Sequence, residues 1–220
     1  MPRFDPQFVD TRPPGERDLV SGRPKQIAGC DPITWHVWRP ELTHKFSSVL
    51  ETASDEKPLQ IFFEEYPEAL LTGLVKPHTG WVISRPKLPK PDGGGWIPDF
   101  IICEWKSVGP DWIIVELKSP RASPLTNSGR ISGYCNRAAE QINDYKTHIE
   151  KHGHFLREGG WPNLHGQCDG VIVIGRRDDS NRSLGDKLAS FKRQRIEIAS
   201  YDRLLEECQW MQDYLFHNAR

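Results

Sequence analysis

Apolar positions along this chain recur at helical and at strand spacings, and the alternation between the two predicts its elements. From Asp55 to Tyr66, Leu59, Phe62, Phe63 and Tyr66 recur at three- and four-residue steps, the period of a helix that buries one face. Ser54 stands as its cap and Pro67 as its stop. A softer helical pattern covers Glu41–Thr52. Turn residues are dense after Pro67, with one strand at Gly80–Ser84 and a loop from Pro86 to Gly95. Asp99–Trp105 and Trp112–Lys118 read as two strands joined by a short hairpin-like turn at 106–110. A long amphipathic helix is expected over Gly129–Lys151, with Ile131, Ala138, Ile142, Tyr145 and Ile149 on one face.

Gly170–Gly175 is a continuous apolar run bounded by glycines, the pattern of a buried strand. A helix over Leu184–Lys192, a strand over Arg195–Ala199 and a helix over Tyr201–Phe216 follow. This order predicts an α/β domain with a mixed β-sheet flanked by helices. Before about Pro40 the chain is rich in Pro, Gly and Arg and shows no period, although Ile33–Trp35 and Val37–Trp38 could supply a short strand. The expected division is an irregular N-terminal extension at 1–45 and one domain at 46–220. No internal repeat is evident.

Composition narrows the class. The 220 residues carry a net charge of −1, so no global basic field announces a nucleic-acid partner, although a local basic groove is compatible with that total. No run of about 18 apolar residues and no signal-peptide pattern is present, so the expected setting is cytoplasmic, away from membranes. Five scattered cysteines without a CxxC pair fit reduced thiols. Most of the eight tryptophans are expected in packing roles.

The candidate chemistry lies in the hairpin. Pro98-Asp99 is followed by Glu116-Leu117-Lys118. Side chains alternate along a strand, so Glu116 and Lys118 share one side while Leu117 points into the core. A buried charge is costly unless it is paired or bound to a metal. Two converging carboxylates, Asp99 and Glu116, suit a hard cation such as Mg²⁺ (or Mn²⁺), with a main-chain carbonyl of Val115 or Leu117 as a further oxygen. Lys118 would orient a water or neutralise charge on a phosphate. Gln141 and Tyr145 lie four apart on one face of the next helix.

Taken together, Pro98-Asp99, Glu116-Leu117-Lys118 and Gln141 to Tyr145 resemble the PD-(D/E)xK nuclease superfamily, including the QxxxY helix of some members. More narrowly the chain resembles the Shedu anti-phage defence nucleases. That resemblance also rests on Glu56 to Pro67, on Gly170 to Arg176 and on Ile196 to Leu205, in the family's order, and covers roughly Asp55 to Glu207. It implies a restriction-endonuclease-like core, DNA as partner, Mg²⁺-dependent phosphodiester cleavage, a role in bacterial anti-phage defence and a homo-oligomer, with a tetramer favoured. It makes Asp99 and Glu116 metal ligands and Lys118 the catalytic lysine. Gln141 would contact phosphate or water at the cleavage site. Glu56 would be the acidic residue of the first core helix, with Glu64 and Glu65 as alternatives and a plain helix-start carboxylate as the bland reading. For Gln141 the bland reading is a surface glutamine, and for Tyr145 core packing.

Lys87, Lys90, Arg121 and Arg130 flank the expected site in loops and are candidates to track DNA phosphates. A zinc site on His148, His152, His165 and Cys168 has ligand-like spacing and ranks below a solvated helix end. Gly93–Gly95 is no P-loop, since no GK[ST] follows. Arg176-Arg177 could contact nucleic acid or pair locally with Asp178-Asp179. No small-molecule cofactor is expected. Two other functions remain open at this point: a non-catalytic nucleic-acid sensor that keeps the fold, and a restriction or repair nuclease.

Overall fold

Five strands form the central sheet: β1 (Gly80–Ser84), β4 (Phe100–Lys106), β5 (Gly109–Leu117), β6 (Asp169–Val173) and β7 (Ile196–Ala199). Their order is β1-β4-β5-β6-β7. The first two pairings are antiparallel and the last two parallel, so the sheet is mixed as expected. A two-stranded ribbon, β2 (Leu88–Pro89) with β3 (Gly95–Trp96), stands apart from it. The computed structural model describes residues 26–33, 38–75, 80–90, 93–106, 109–177 and 189–217.

Both faces of the sheet are covered, because alternate residues of each strand are apolar. Phe100, Ile102, Val115, Leu117, Val171 and Val173 pack on one side against α1 (Leu42–Thr52), α2 (Lys57–Glu65), α3 (Pro67–Val75) and α6 (Tyr201–His217). Ile101, Cys103, Trp112, Ile114 and Ile172 face the other way, against α4 (Gly133–Glu158) and α5 (Ala189–Arg193). The period-two pattern therefore builds two cores from single strands.

The helices depart from expectation in informative places. Pro67 does end α2, but it also begins α3 at a position where its missing N–H costs nothing. The expected turn-rich stretch after Pro67 is thus helical to Val75. Ala69, Leu70 and Leu71 are all buried, and this continuous burial erased the amphipathic period. Ser54 does not cap α2; the Asp55 carboxylate instead accepts a bond from the Lys57 N–H at 3.0 Å. α4 starts at Gly133 rather than Gly129, with the Ser132 hydroxyl accepting from the Cys135 N–H. It continues to Glu158, past a kink at His152. Of the helix expected over Leu184–Lys192, the described part is Ala189–Arg193. Residues 178–188 lie outside the described set.

The N-terminal region joins the fold before residue 46. The expected boundary at 45 falls inside α1, and Trp38 and Leu42 belong to the core. Arg39 makes two bonds to the buried Glu68 carboxylate, at 2.7 and 2.9 Å, and its guanidinium lies 3.8 Å from the centre of the Tyr66 ring. Ile33 exchanges main-chain bonds with Gly80 at the sheet edge; Trp35 and Val37 lie outside the described residues.

Candidate active site

The β4–β5 register brings the two carboxylates together. Phe100 pairs with Val115, so one further rung sets Asp99 beside Glu116. Pro98 has no N–H and cannot prolong the ladder. The Asp99 side chain takes over the pairing instead: its Oδ2 accepts the Leu117 N–H at 2.8 Å. On the other side the Asp99 carbonyl accepts the Arg85 N–H at 2.8 Å. Asp99 is therefore tied to the main chain of both neighbours.

Glu116 points to the α4 face, where it is 2% exposed. Its Oε2 lies 3.0 Å from Lys118 Nζ. From α4, Tyr145 approaches the same carboxylate as a hydrogen-bond donor. The main chain of Lys118 is held at both of its polar groups. Its N–H donates to Val173 on β6 at 2.8 Å, and its carbonyl accepts the Tyr201 hydroxyl at 2.8 Å.

Burial pushes both carboxyl groups above their ordinary range. For Glu116 the nearby Asp99 charge adds to the rise, while Lys118 and Tyr145 work against it. For Asp99 the Leu117 N–H, Lys118 and Arg85 oppose it. Tyr145 is raised by burial first and then by Glu116. Tyr201 is raised well above its usual value by burial, and next by Glu56 and Asp99. Two desolvated acids that repel each other beside one ammonium make a centre short of positive charge.

The structure thus brings Asp99, Glu116 and Lys118 into one cluster. Glu56 is exposed just before α2, close enough to Tyr201 for its charge to be felt there. Its alternatives are engaged elsewhere: Glu64 bonds Ser84 Oγ and Gln60, and Glu65 pairs with Lys45. Gln141 is exposed one helical turn before Tyr145. Among the described residues it forms no hydrogen bond with Asp99, Glu116 or Lys118.

Three of the four cations expected to follow phosphates line separate hollows. Lys87 lies with Phe155 and Trp161 near the end of α4. Lys90 sits 5.1 Å from the Trp96 ring centre, next to Asp144 and Lys151. Arg121 uses its Nε to hold the Ala53 carbonyl, which pins the loop after β5 to the end of α1. Arg130 is exposed in the loop before α4. Arg176 pairs with Asp202 and Glu51, and Arg177 with Glu206; Asp178 and Asp179 lie outside the described residues.

Sequence reasoning named Tyr145 without giving it a bond to Glu116, and missed Tyr201 and Arg85 as members of this centre. The four-residue step from Gln141 pointed to Tyr145 but did not separate a core ring from a bonded hydroxyl. Tyr201 reaches Lys118 across 83 residues, and no local pattern announces that. Arg85 reaches Asp99 through its N–H and its charge, from a position that no motif marks.

The donor set fits a hard divalent cation. Mg²⁺ usually takes one or two protein carboxylates and fills its shell with water and phosphate. Asp99 and Glu116 supply that number. Among the described residues no group of three or more His, Cys, Asp or Glu gathers as a metal site. At the zinc candidates, the His148 and His152 ring centres lie 4.6 Å apart with the rings tilted by 45°, and His148 Nε2 contacts the Pro89 carbonyl. Burial pushes the Cys168 thiol up to about 12. Among the described residues no helix is long and apolar enough to cross a membrane.

A comparison with curated proteins finds no match. Among solved structures, the restriction endonuclease FokI bound to DNA is similar at 15% identity with a TM-score of 0.45, over 77% of this chain and 27% of that one. The present chain therefore spans about a quarter of that enzyme's length. The model of the family described as "Shedu protein SduA, C-terminal" matches residues 53–205, and the chain belongs to that family.

Proposed function

We propose that this protein is a Mg²⁺-dependent DNA endonuclease that nicks or cuts phosphodiester bonds in bacterial defence against phage. The observation that carries the chemistry is the buried Glu116 carboxylate, set beside Asp99 by strand register and 3.0 Å from Lys118 Nζ. A structural ion pair needs no second acid there, and a second acid raises the cost of burial. The defence role is supported by family membership.

Asp99 and Glu116 would hold Mg²⁺ (or Mn²⁺). When bound, the cation polarises the phosphoryl group and lowers the pKa of its water. Lys118 holds a proton at Nζ on the same side of the strand. There it can orient the attacking water or meet the charge that grows on the phosphate. Tyr145 and the Leu117 N–H fix the two carboxylates before substrate arrives, so little reorganisation is left for the reaction itself. Tyr201 holds the Lys118 main chain, and Glu56 stands on its side of the centre. Gln141, exposed one turn before Tyr145, would meet the sugar–phosphate strand. The protein acts as a homo-oligomer, with a tetramer favoured, on the strength of family membership; light scattering of the purified chain checks this.

The test is cleavage of linear, supercoiled and single-stranded DNA with Mg²⁺. Glu116→Ala and Lys118→Ala should abolish nicking and cutting while circular dichroism shows an intact fold. Full cleavage by either variant would sink the proposal.

A further inference from the structure

Ile97 is a large apolar side chain left 51% exposed, two residues before Asp99. A single exposed isoleucine is ordinary in itself. What distinguishes this one is its setting. At about 3.5 Å per residue it lies within ~7 Å of Asp99 along the chain. Pro98 after it restricts Ile97 to an extended backbone.

The segment that carries it is firmly mounted. Trp96 pairs with Leu88 in the ribbon, and its ring meets Tyr145 edge-on at 5.8 Å. The Pro89 carbonyl contacts His148 on α4. Gly95 allows the ribbon to close: its φ is +152°, and a Cβ there would lie 2.4 Å from the Leu88 carbonyl oxygen. Ribbon, α4 and the Asp99–Glu116 pair therefore form one continuous support, and Ile97 projects from it into solvent.

We propose that Ile97 is a wedge against duplex DNA, entering between base steps next to the bond that is cut. The inference rests on the nuclease reading above and names how the same site takes its substrate. Apolar wedges of this kind partly unstack a step and bend the duplex toward the protein. The position suits DNA better than a protein partner. Asp99 and Glu116 would hold the cation that meets a phosphate strand, and an exposed apolar side chain beside them suits the stacked apolar interior of the same ligand. Lys90, 5.1 Å from the Trp96 ring on the same ribbon, supplies a cation for that strand.

The experiment compares the full chain with Ile97→Ser and Ile97→Leu. The main probe is a duplex with 2-aminopurine at the step beside the mapped nick, titrated with protein in Ca²⁺ so that binding is read without cleavage. The unaltered chain and Ile97→Leu should raise the fluorescence of the unstacked base. Ile97→Ser should lose that signal and bind about tenfold more weakly (~1.4 kcal/mol). Its melting temperature and its hydrolysis of bis(p-nitrophenyl) phosphate should not change, because the side chain lies outside the core and the acid pair.

Equal binding and equal fluorescence for Ile97→Ser and the unaltered chain would overturn the wedge. So would a changed oligomeric state of Ile97→Ser, which would assign the residue to contact between copies. Absence of duplex binding by the unaltered chain overturns it too. Absence of DNA cleavage by the unaltered chain in Mg²⁺, with binding intact, instead defeats the nuclease reading; 2-aminopurine placed at each successive step of the bound duplex then decides the wedge, and no step brightened by the unaltered chain but not by Ile97→Ser would overturn it.

Discussion

The Tyr201 hydroxyl donates a 2.8 Å hydrogen bond to the main-chain carbonyl of Lys118. The tyrosine is the first residue of α6 and is fully buried, with its ring stacked on Phe63 at 6.5 Å. Tyr201→Phe keeps the ring and removes the donor. An unsatisfied buried acceptor costs about 1–3 kcal/mol. We expect a lower melting temperature, and cleavage in Mg²⁺ slowed ~10- to 100-fold as the Lys118 backbone relaxes. Thermal melts and single-turnover cleavage check the two effects. Unchanged cleavage would mean that the bond serves the core alone.

The folded protein disfavours ionised Glu116, because burial and Asp99 raise its pKa. The sign follows. Above the unfolded value of about 4.3 the ionised group costs stability. As pH falls through the raised folded value, the side chain takes up a proton and the cost disappears. Glu116→Gln is neutral throughout. In EDTA at neutral pH it should melt higher than the unaltered chain, by about 3 °C for each kcal/mol gained in a domain of this size. The advantage should shrink on acidification toward pH 4. Melting curves across that range decide it, and a lower melting temperature for the variant at neutral pH would contradict the argument.

Gly175, two residues past the end of β6, has φ +69°, and a Cβ there would lie 2.3 Å from the Ala122 carbonyl oxygen. Its N–H bonds the Ser119 carbonyl, next to Lys118. Gly175→Ala therefore meets both a strained backbone and a clash with main chain. The expected loss is roughly 2–4 kcal/mol, larger than that of an ordinary surface change. Denaturant unfolding measures it; a loss below about 1 kcal/mol would show that the loop moves aside freely.

Four of the five cysteines are buried and none is disulfide-bonded. Burial pushes Cys103 and Cys168 up to about 12 and Cys135 to about 11. Cys208 is raised as well, again by burial first. Half-buried Cys30 is the most accessible. Ellman's reagent on the native protein at pH 8 should modify about one thiol quickly, and Cys30→Ser should remove that fast phase. Several thiols reacting at once would contradict the buried assignments.

The centre of the site was readable because strand parity is a strict rule. Glu116 and Lys118 had to share a side, and the hairpin had to return Asp99 toward them; the observed register agrees. Helix limits were less readable. α3 hides its period because Ala69, Leu70 and Leu71 are all buried, so no polar stripe marks a helix there. Ser54 and Asp55 are both good caps, and only geometry shows that Asp55 bonds the Lys57 N–H. Tyr201 stayed hidden for another reason: its role comes from a contact 83 residues away, and local pattern carries no trace of a distant partner. Loop cations were the least readable, since charge in a loop says nothing about which hollow it lines. Lys87, Lys90 and Arg121 line three different ones.

The Tyr201 clamp also sets a schedule. A ribosome releases both acids and the lysine 83 residues before it completes the residue that holds the lysine's backbone. At about 5–20 residues per second, that interval is roughly 4–17 s. During it the α6 face of the sheet is uncovered and the Lys118 carbonyl lacks its tyrosine partner. The Asp99, Glu116 and Lys118 cluster therefore gains its last main-chain support only once α6 has begun to fold against the sheet.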